Sequence, residues 1–152
     1  MRGLLSMGLV LAVAGCAQLG IGPKTDAPAS MPAPGRIAPA PKPTANSAAA
    51  FDTTTAAQRA EAAQKPATGE AKLGVTIASL GDPTDPGFWM RTGLVSVESK
   101  GRIENPKTGK SAKVTLIPTG KPAGAGSEVS LPALRLLEVP LTELPELTVY
   151  RL

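Results

Sequence analysis

The chain has 152 residues, with 16 glycines, 16 prolines, one cysteine, no histidine and only 3% aromatic residues. This composition excludes an intramolecular disulfide, a Cys-His zinc site and a Ser-His or Cys-His nucleophile. The net charge is +4, yet residues 70–152 hold ten basic and nine acidic side chains, so the C-terminal part is nearly neutral. Because no basic run accompanies this balance, we expect no nucleic-acid partner.

The N-terminus has the organisation of a secretion signal. Arg2 precedes an uncharged apolar run over residues 4–13, and the tetrapeptide Val-Ala-Gly-Cys follows it and ends at Cys16. A charged start, a short apolar run and small residues before a cleavage point are typical of secretory signals. An uncleaved membrane-spanning helix over residues 3–22 is the alternative, but its glycines and short apolar run count against it.

This arrangement resembles a bacterial lipoprotein signal. The resemblance implies that residues 1–15 are a signal peptide removed by cleavage, and that Cys16 carries acyl chains such as palmitate. In that family an aspartate after the cysteine retains the protein at the inner membrane, whereas Ala17 stands here. We therefore expect Cys16 to hold the protein on the periplasmic face of the outer membrane, and several acyl chains anchor a protein far more firmly than one.

A linker follows the cysteine. Half of residues 17–50 are proline or alanine, a composition that favours extended conformers without a packed core. The sequence predicts a disordered Pro/Ala-rich tether over residues 16–72, with a short helix over 52–65 capped by Asp52 or a following threonine. A proline-rich recognition motif is the alternative, although no repeated P-x-x-P core stands out.

The folded domain is predicted over residues 73–152, because large apolar side chains number 26 there against five in residues 17–72. Alternation places Leu73, Val75 and Ile77 on one face of a first strand. Asp82 and Asp85 stand before prolines and are expected to form turns, with a catalytic carboxylate pair as the alternative. The remaining elements are strands over 88–97, 111–117 and 146–152, a hairpin loop over 105–110, and a helix that starts after Ser130 and ends before Pro140.

Five segments at the end of the chain follow one another in a characteristic order. They are a Gly-Lys pair at 109–110, the strand KVTLIP, a loop with Gly120, the segment VSLPALRLLEV and the closing ELTVYRL. This order resembles the double-psi β-barrel of rare lipoprotein A and its barwin-like relatives. The resemblance implies a mainly β fold, with a small double-psi-like barrel and one short helix.

The catalytic residues of that family are missing. Pro118 stands at the family's acidic position, Ser130 replaces the aspartate at the helix start, and the chain has no histidine. We therefore predict no catalytic residue, no metal site and no cofactor. A glutamate that has taken over acid catalysis is the alternative; the candidates are Glu104, Glu128, Glu138, Glu143 and Glu146.

Four side chains are candidate ligand contacts. Trp89 can stack on a sugar, and Arg91, Lys100 or Arg102 can meet carboxylates of a peptide. The alternative for Trp89 is that it fills the core of a small domain together with Phe88.

These residues predict a lipid-anchored envelope protein, with a non-catalytic binding or accessory module for peptidoglycan or an envelope partner. A cell-wall glycan-cleaving enzyme of the rare lipoprotein A type and a structural assembly lipoprotein are the alternatives.

Overall fold

A computed structural model describes residues 38–66 and 69–152. The predicted signal peptide, Cys16 and residues 16–37 of the predicted linker lie outside this part of the chain. Within it, six strands close into a barrel and three short helices lie beside them. The strands are β1 (Ala71–Leu80), β2 (Trp89–Thr92), β3 (Ser99–Glu104), β4 (Ser111–Pro118), β5 (Ser127–Val129) and β6 (Glu146–Arg151), and the helices are α1 (Ala48–Phe51), α2 (Ala56–Ala63) and α3 (Leu131–Leu136).

The strands interleave around the barrel in the order β1-β5-β2-β4-β3-β6, and β6 pairs with β1 to close it. The β1–β5 and β2–β4 pairs are parallel and the others are antiparallel. If β1, β2 and β3 are exchanged with β4, β5 and β6 respectively, each strand has the same neighbours as before. The connectivity of the barrel is therefore that of two interlocked halves related by a pseudo-two-fold axis. The predicted mainly β, double-psi-like barrel is confirmed.

Inward side chains from all six strands and from α3 form one apolar core. Each fully buried aliphatic side chain contributes about 1.5–3 kcal/mol relative to exposure, so this core supplies the main driving force for folding. Its largest fully buried members include Met90, Ile103, Leu116, Leu134, Leu137 and Leu147.

The aliphatic side chains at the middle of β1 face outward. Val75 is 45% and Ile77 48% exposed, whereas Thr76 and Ala78 are buried. The Thr76 hydroxyl lies 3.0 Å from the Ser127 hydroxyl of β5, and Ala78 pairs with Ser127 where β5 runs parallel to β1. Small side chains therefore fill the inward positions in the middle of β1, and the larger aliphatic ones lie on the surface.

Two strands are present that the sequence analysis did not predict, β3 and β5. The strand predicted over 88–97 is shorter, because it ends where the Thr92 hydroxyl accepts the backbone N–H of Leu94 at 3.1 Å. The barrel also begins at Ala71 rather than at residue 73. The predicted hairpin loop is present between β3 and β4, where the Asn105 N–H donates to the Lys110 carbonyl at 2.9 Å.

The helix predicted within 52–65 is α2, and Thr55 caps it through a capping box with Gln58. Its Ala62 is buried, and the helix packs against β4. This part of the predicted linker therefore lies on the barrel. At the start of α3 the Ser130 hydroxyl does not bond the helix; it accepts the Trp89 backbone N–H at 3.1 Å and so ties the helix to β2.

Candidate functional site

A groove lies on the barrel surface where β1 and β5 run side by side. We call it the β1–β5 groove; its volume is about 220 Å³. β2 borders the groove through Arg91, which pairs with Glu128 of β5 in the antiparallel register. The lining side chains used below are Ile77, Ser79, Arg91, Lys121, Glu128 and Leu144.

Arg91 is held in place from three sides. Its Nη2 donates to Asp85 Oδ2 at 2.8 Å, and its Nη1 lies 3.6 Å from Glu128 Oε2. The guanidinium carbon stands 4.4 Å from the centre of the Trp89 ring, a cation–π arrangement. Because 32% of the Arg91 side chain is still exposed, the groove presents a positioned cation to solvent.

Trp89 does not offer an open face to a ligand. The residue is 3% exposed, and its Nε1–H donates to the Asp85 carbonyl at 3.0 Å. The guanidinium of Arg91 lies over the ring. Trp89 thus has the buried position that was given as the alternative to sugar stacking. Its ring helps to hold the Arg91 guanidinium in place.

Three hydroxyls form a buried chain beneath the groove. Thr76 Oγ1 lies 3.0 Å from Ser127 Oγ, and Ser127 Oγ donates to Thr92 Oγ1 at 2.9 Å. The three residues belong to β1, β5 and β2, so the chain joins the strands that build the groove. Buried hydroxyls that satisfy one another stiffen a structure, and this network supports a fixed groove shape.

Two exposed aliphatic side chains also belong to the groove lining. Ile77 is 48% and Leu144 66% exposed, and both line the groove. The groove thus combines exposed aliphatic side chains with charged ones, because Arg91, Glu128 and Lys121 also line it.

The other two candidate contacts lie elsewhere. Lys100 lines a separate cleft of about 160 Å³ between α2 and the β3–β4 pair. Arg102 is 3% exposed, and its role as a ligand contact stays a prediction. The structure thus joins Trp89 and Arg91 and keeps Lys100 and Arg102 away from them.

Arg102 makes its contacts within the barrel. Its Nη2 donates to Glu70 Oε2 at 2.7 Å, its Nη1 donates to Glu104, and its guanidinium lies 4.2 Å from the Tyr150 ring centre. Hydrogen bonds from Arg102 hold the pKa of Glu70 below its usual value. The same hydrogen bond to Glu70, reinforced by Glu104, raises the pKa of Arg102 although burial opposes this.

The two aspartates before prolines have different roles. Asp82 forms the predicted turn, because its carboxylate accepts the Thr84 N–H at 2.8 Å and the Thr84 hydroxyl at 2.6 Å. Both bonds lower the pKa of Asp82, and the bond from the Thr84 hydroxyl has the larger effect. Asp85 donates its N–H to the Asp82 carbonyl in the same turn, but its buried carboxylate also binds Arg91.

Arg91 was predicted as a contact, but its pairing with Glu128 and the presence of Lys121 and Leu144 in the same groove were not predicted. Glu128 meets Arg91 only through the β2–β5 register, and Lys121 and Leu144 reach the groove from loops far along the chain. No sequence spacing links these positions. The one available signal was Asp85, an acid six positions before Arg91 in a turn-rich segment.

The glutamates considered as acids are dispersed over the surface. Glu104 bonds Arg102, Glu138 lies 3.2 Å from Lys110, and Glu128 faces Arg91. Glu143 and Glu146 are exposed. Within residues 38–66 and 69–152, no group of three or more acidic, Cys or His side chains is arranged to hold a metal ion.

No helix in the described part of the chain has the length and apolar character needed to cross a bilayer. Comparisons with family models, with curated proteins and with solved structures find no match for this chain.

Proposed function

We propose that this protein is a lipid-anchored envelope protein whose barrel is a non-catalytic binding or accessory module for peptidoglycan or an envelope partner. The observation that carries the binding role is the β1–β5 groove, whose lining includes both a positioned guanidinium and exposed aliphatic side chains. Aliphatic side chains that are exposed beside a cation in a concave site favour ligand recognition over a purely structural role.

The arrangement of the groove acids supports binding rather than cleavage. Glycosidic cleavage needs a carboxyl group positioned to give a proton to the leaving oxygen. Asp85 and Glu128 instead both face the guanidinium of Arg91, at 2.8 and 3.6 Å. Their arrangement suits a site that orients Arg91.

The location follows from the N-terminal pattern. We propose that Cys16 carries the lipid, with the protein held at the periplasmic face of the outer membrane and the linker spacing the barrel from the bilayer. A Cys16→Ser variant is expected to leave the membrane fraction when envelopes are separated on a density gradient. Unchanged sedimentation with the outer membrane would contradict the lipid anchor.

The binding role is tested with the full-length protein in detergent and isolated sacculi. We expect co-sedimentation with sacculi, weakened roughly tenfold by Arg91→Gln, since a charge-assisted hydrogen bond is worth about 1.5–3 kcal/mol. Lys107→Gln is the matched control, because it removes one exposed positive charge from the hairpin loop, away from the groove.

Two other results would assign a different function. Release of sugar products from purified sacculi, detected by mass spectrometry, would identify a glycan-cleaving enzyme. Recovery that is equal with and without sacculi would remove peptidoglycan as the ligand, and cross-linking to the subunits of an envelope assembly in intact cells would then identify a structural assembly lipoprotein.

A further inference from the structure

We propose that the β1–β5 groove recognises the peptide part of peptidoglycan, as a short peptide that bears a free carboxylate and a small aliphatic side chain. This inference rests on the proposed function and narrows it, because peptidoglycan offers both a sugar chain and peptides. Three features of the described residues favour the peptide.

The first feature is that the aromatic faces next to the groove and on the neighbouring strands are covered. Sugar rings are commonly bound by stacking on an exposed aromatic face. Arg91 covers the ring of Trp89 at 4.4 Å, and Arg102 covers that of Tyr150 at 4.2 Å. Phe88 lines the separate cleft beside α2 and not the β1–β5 groove. The groove therefore lacks a stacking platform for a sugar.

The second feature is the aliphatic wall. Ile77 and Leu144 are 48% and 66% exposed and line the same groove. A sugar presents hydroxyls around most of its edge and gains little from such a wall, whereas an alanine-sized side chain loses water-exposed apolar area against it. This wall suits a peptide side chain.

The third feature is that one of the two carboxylates beside Arg91, that of Glu128, can be displaced by a carboxylate of the ligand. Asp85 is buried, with 7% of its side chain exposed, and holds Arg91 at 2.8 Å. Glu128 is 51% exposed and lies at the longer distance of 3.6 Å. A ligand carboxylate can take the place of Glu128 at Nη1 while Asp85 keeps the guanidinium oriented. The exposed Glu128 carboxylate then turns to solvent, and the new contact is a charge-assisted hydrogen bond.

The test uses the full-length protein in detergent with two forms of peptidoglycan. One is intact sacculi, and the other is glycan strands from the same sacculi after an amidase has removed the peptides. We expect binding to the stripped strands to be at least tenfold weaker, and free stem tetrapeptide to displace the protein from intact sacculi. Equal binding to both forms would overturn this inference and leave the proposed function standing. Binding to neither form would contradict both this inference and the choice of peptidoglycan as the ligand in the proposed function, and would leave an envelope partner.

A matched pair of variants assigns the binding to the groove. Leu144→Thr is expected to weaken binding to intact sacculi roughly fivefold, because part of an apolar contact is lost. Val97→Thr is the control, since Val97 is also 66% exposed but does not line the groove. Thermal unfolding of both variants verifies that the barrel is intact. Equal weakening by the two variants, or none by Leu144→Thr, would contradict the assignment to this groove.

Discussion

Arg102 joins three parts of the barrel through one buried side chain. It belongs to β3, lies over Tyr150 of β6, and binds Glu70 just before β1. A buried guanidinium is costly unless charged groups and hydrogen bonds satisfy it, and here both Glu70 and Glu104 do so. This ion-pair cluster fixes the point at which the chain enters the barrel.

Replacing Glu70 tests the cluster and its pH dependence. The folded-state pKa of Glu70 lies below the ordinary 4.5, so its contribution to stability is present above pH 4.5 and is lost as the pH falls through the folded-state pKa. We expect Glu70→Gln to lower the free energy of unfolding by about 1–2 kcal/mol at pH 7. The difference from the wild type should shrink toward pH 3 in urea denaturation.

Glu143→Gln is the control for this prediction. It removes an exposed carboxylate that makes no ion pair within the described residues, and we expect it to leave the unfolding free energy nearly unchanged. A constant stability difference between Glu70→Gln and the wild type from pH 7 to pH 3 would mean that the charge of Glu70 is irrelevant.

At the level of elements, the segment before β1 is attached to the barrel by polar contacts more than by apolar ones. α2 is rich in alanine, and Ala62 is its buried residue. Asp52 adds the polar attachment: its side chain is 1% exposed, receives Arg135 Nη1 at 2.6 Å, and accepts the Thr54 N–H at 3.1 Å. Since Arg135 belongs to α3, this carboxylate links the segment to the other end of the chain.

Removing the Asp52 carboxylate is therefore expected to loosen α2 without unfolding the barrel. In Asp52→Ala, amide hydrogen exchange in α2 should become at least tenfold faster, while the six strands keep their protection. Glu61→Ala, which deletes an exposed acid from the same helix, is the matched control. Unchanged exchange in α2 of the Asp52 variant would show that packing of Ala62 suffices to hold the helix.

The strands show which elements could be predicted from the sequence. β4 and β6 alternate clearly and were predicted almost to the residue. β3 was missed because Lys-Gly-Arg looks like a turn, yet Gly101 faces inward, where a Cβ would lie 2.7 Å from the Tyr150 carbonyl oxygen. The glycine is needed for the close approach of two strands, a requirement that only the assembled barrel imposes.

The candidate site was harder to predict than the fold. Arg91 was identified as a cation near Trp89, but whether Trp89 is open or covered depends on where that guanidinium lies. The outward direction of Val75 and Ile77 depends on the register in which β1 pairs with β6. Both facts follow from long-range pairing, which a pattern in one strand does not contain.

At the scale of the whole molecule, β6 closes the barrel by pairing with both β1 and β3. Without it, two strands lose a neighbour and the core loses Leu147 and Val149. We expect a chain that ends at residue 145 to show no cooperative thermal transition by circular dichroism and to aggregate through its open strand edges. A chain that lacks only Leu152 should keep the transition. A sharp transition in the shorter chain would mean that five strands form a stable sheet.

The interleaved order of the strands also determines when the protein can fold during synthesis. β1 pairs with β5 and β6, so the first strand has no partner until residues 127–151 have been made. At roughly 5–20 residues per second, the interval between completing β1 and completing β6 is about 4–14 s. Throughout this interval the growing chain lacks a closed barrel. The export proposed from the N-terminal pattern requires an unfolded chain, and a delay of this kind is compatible with that proposal.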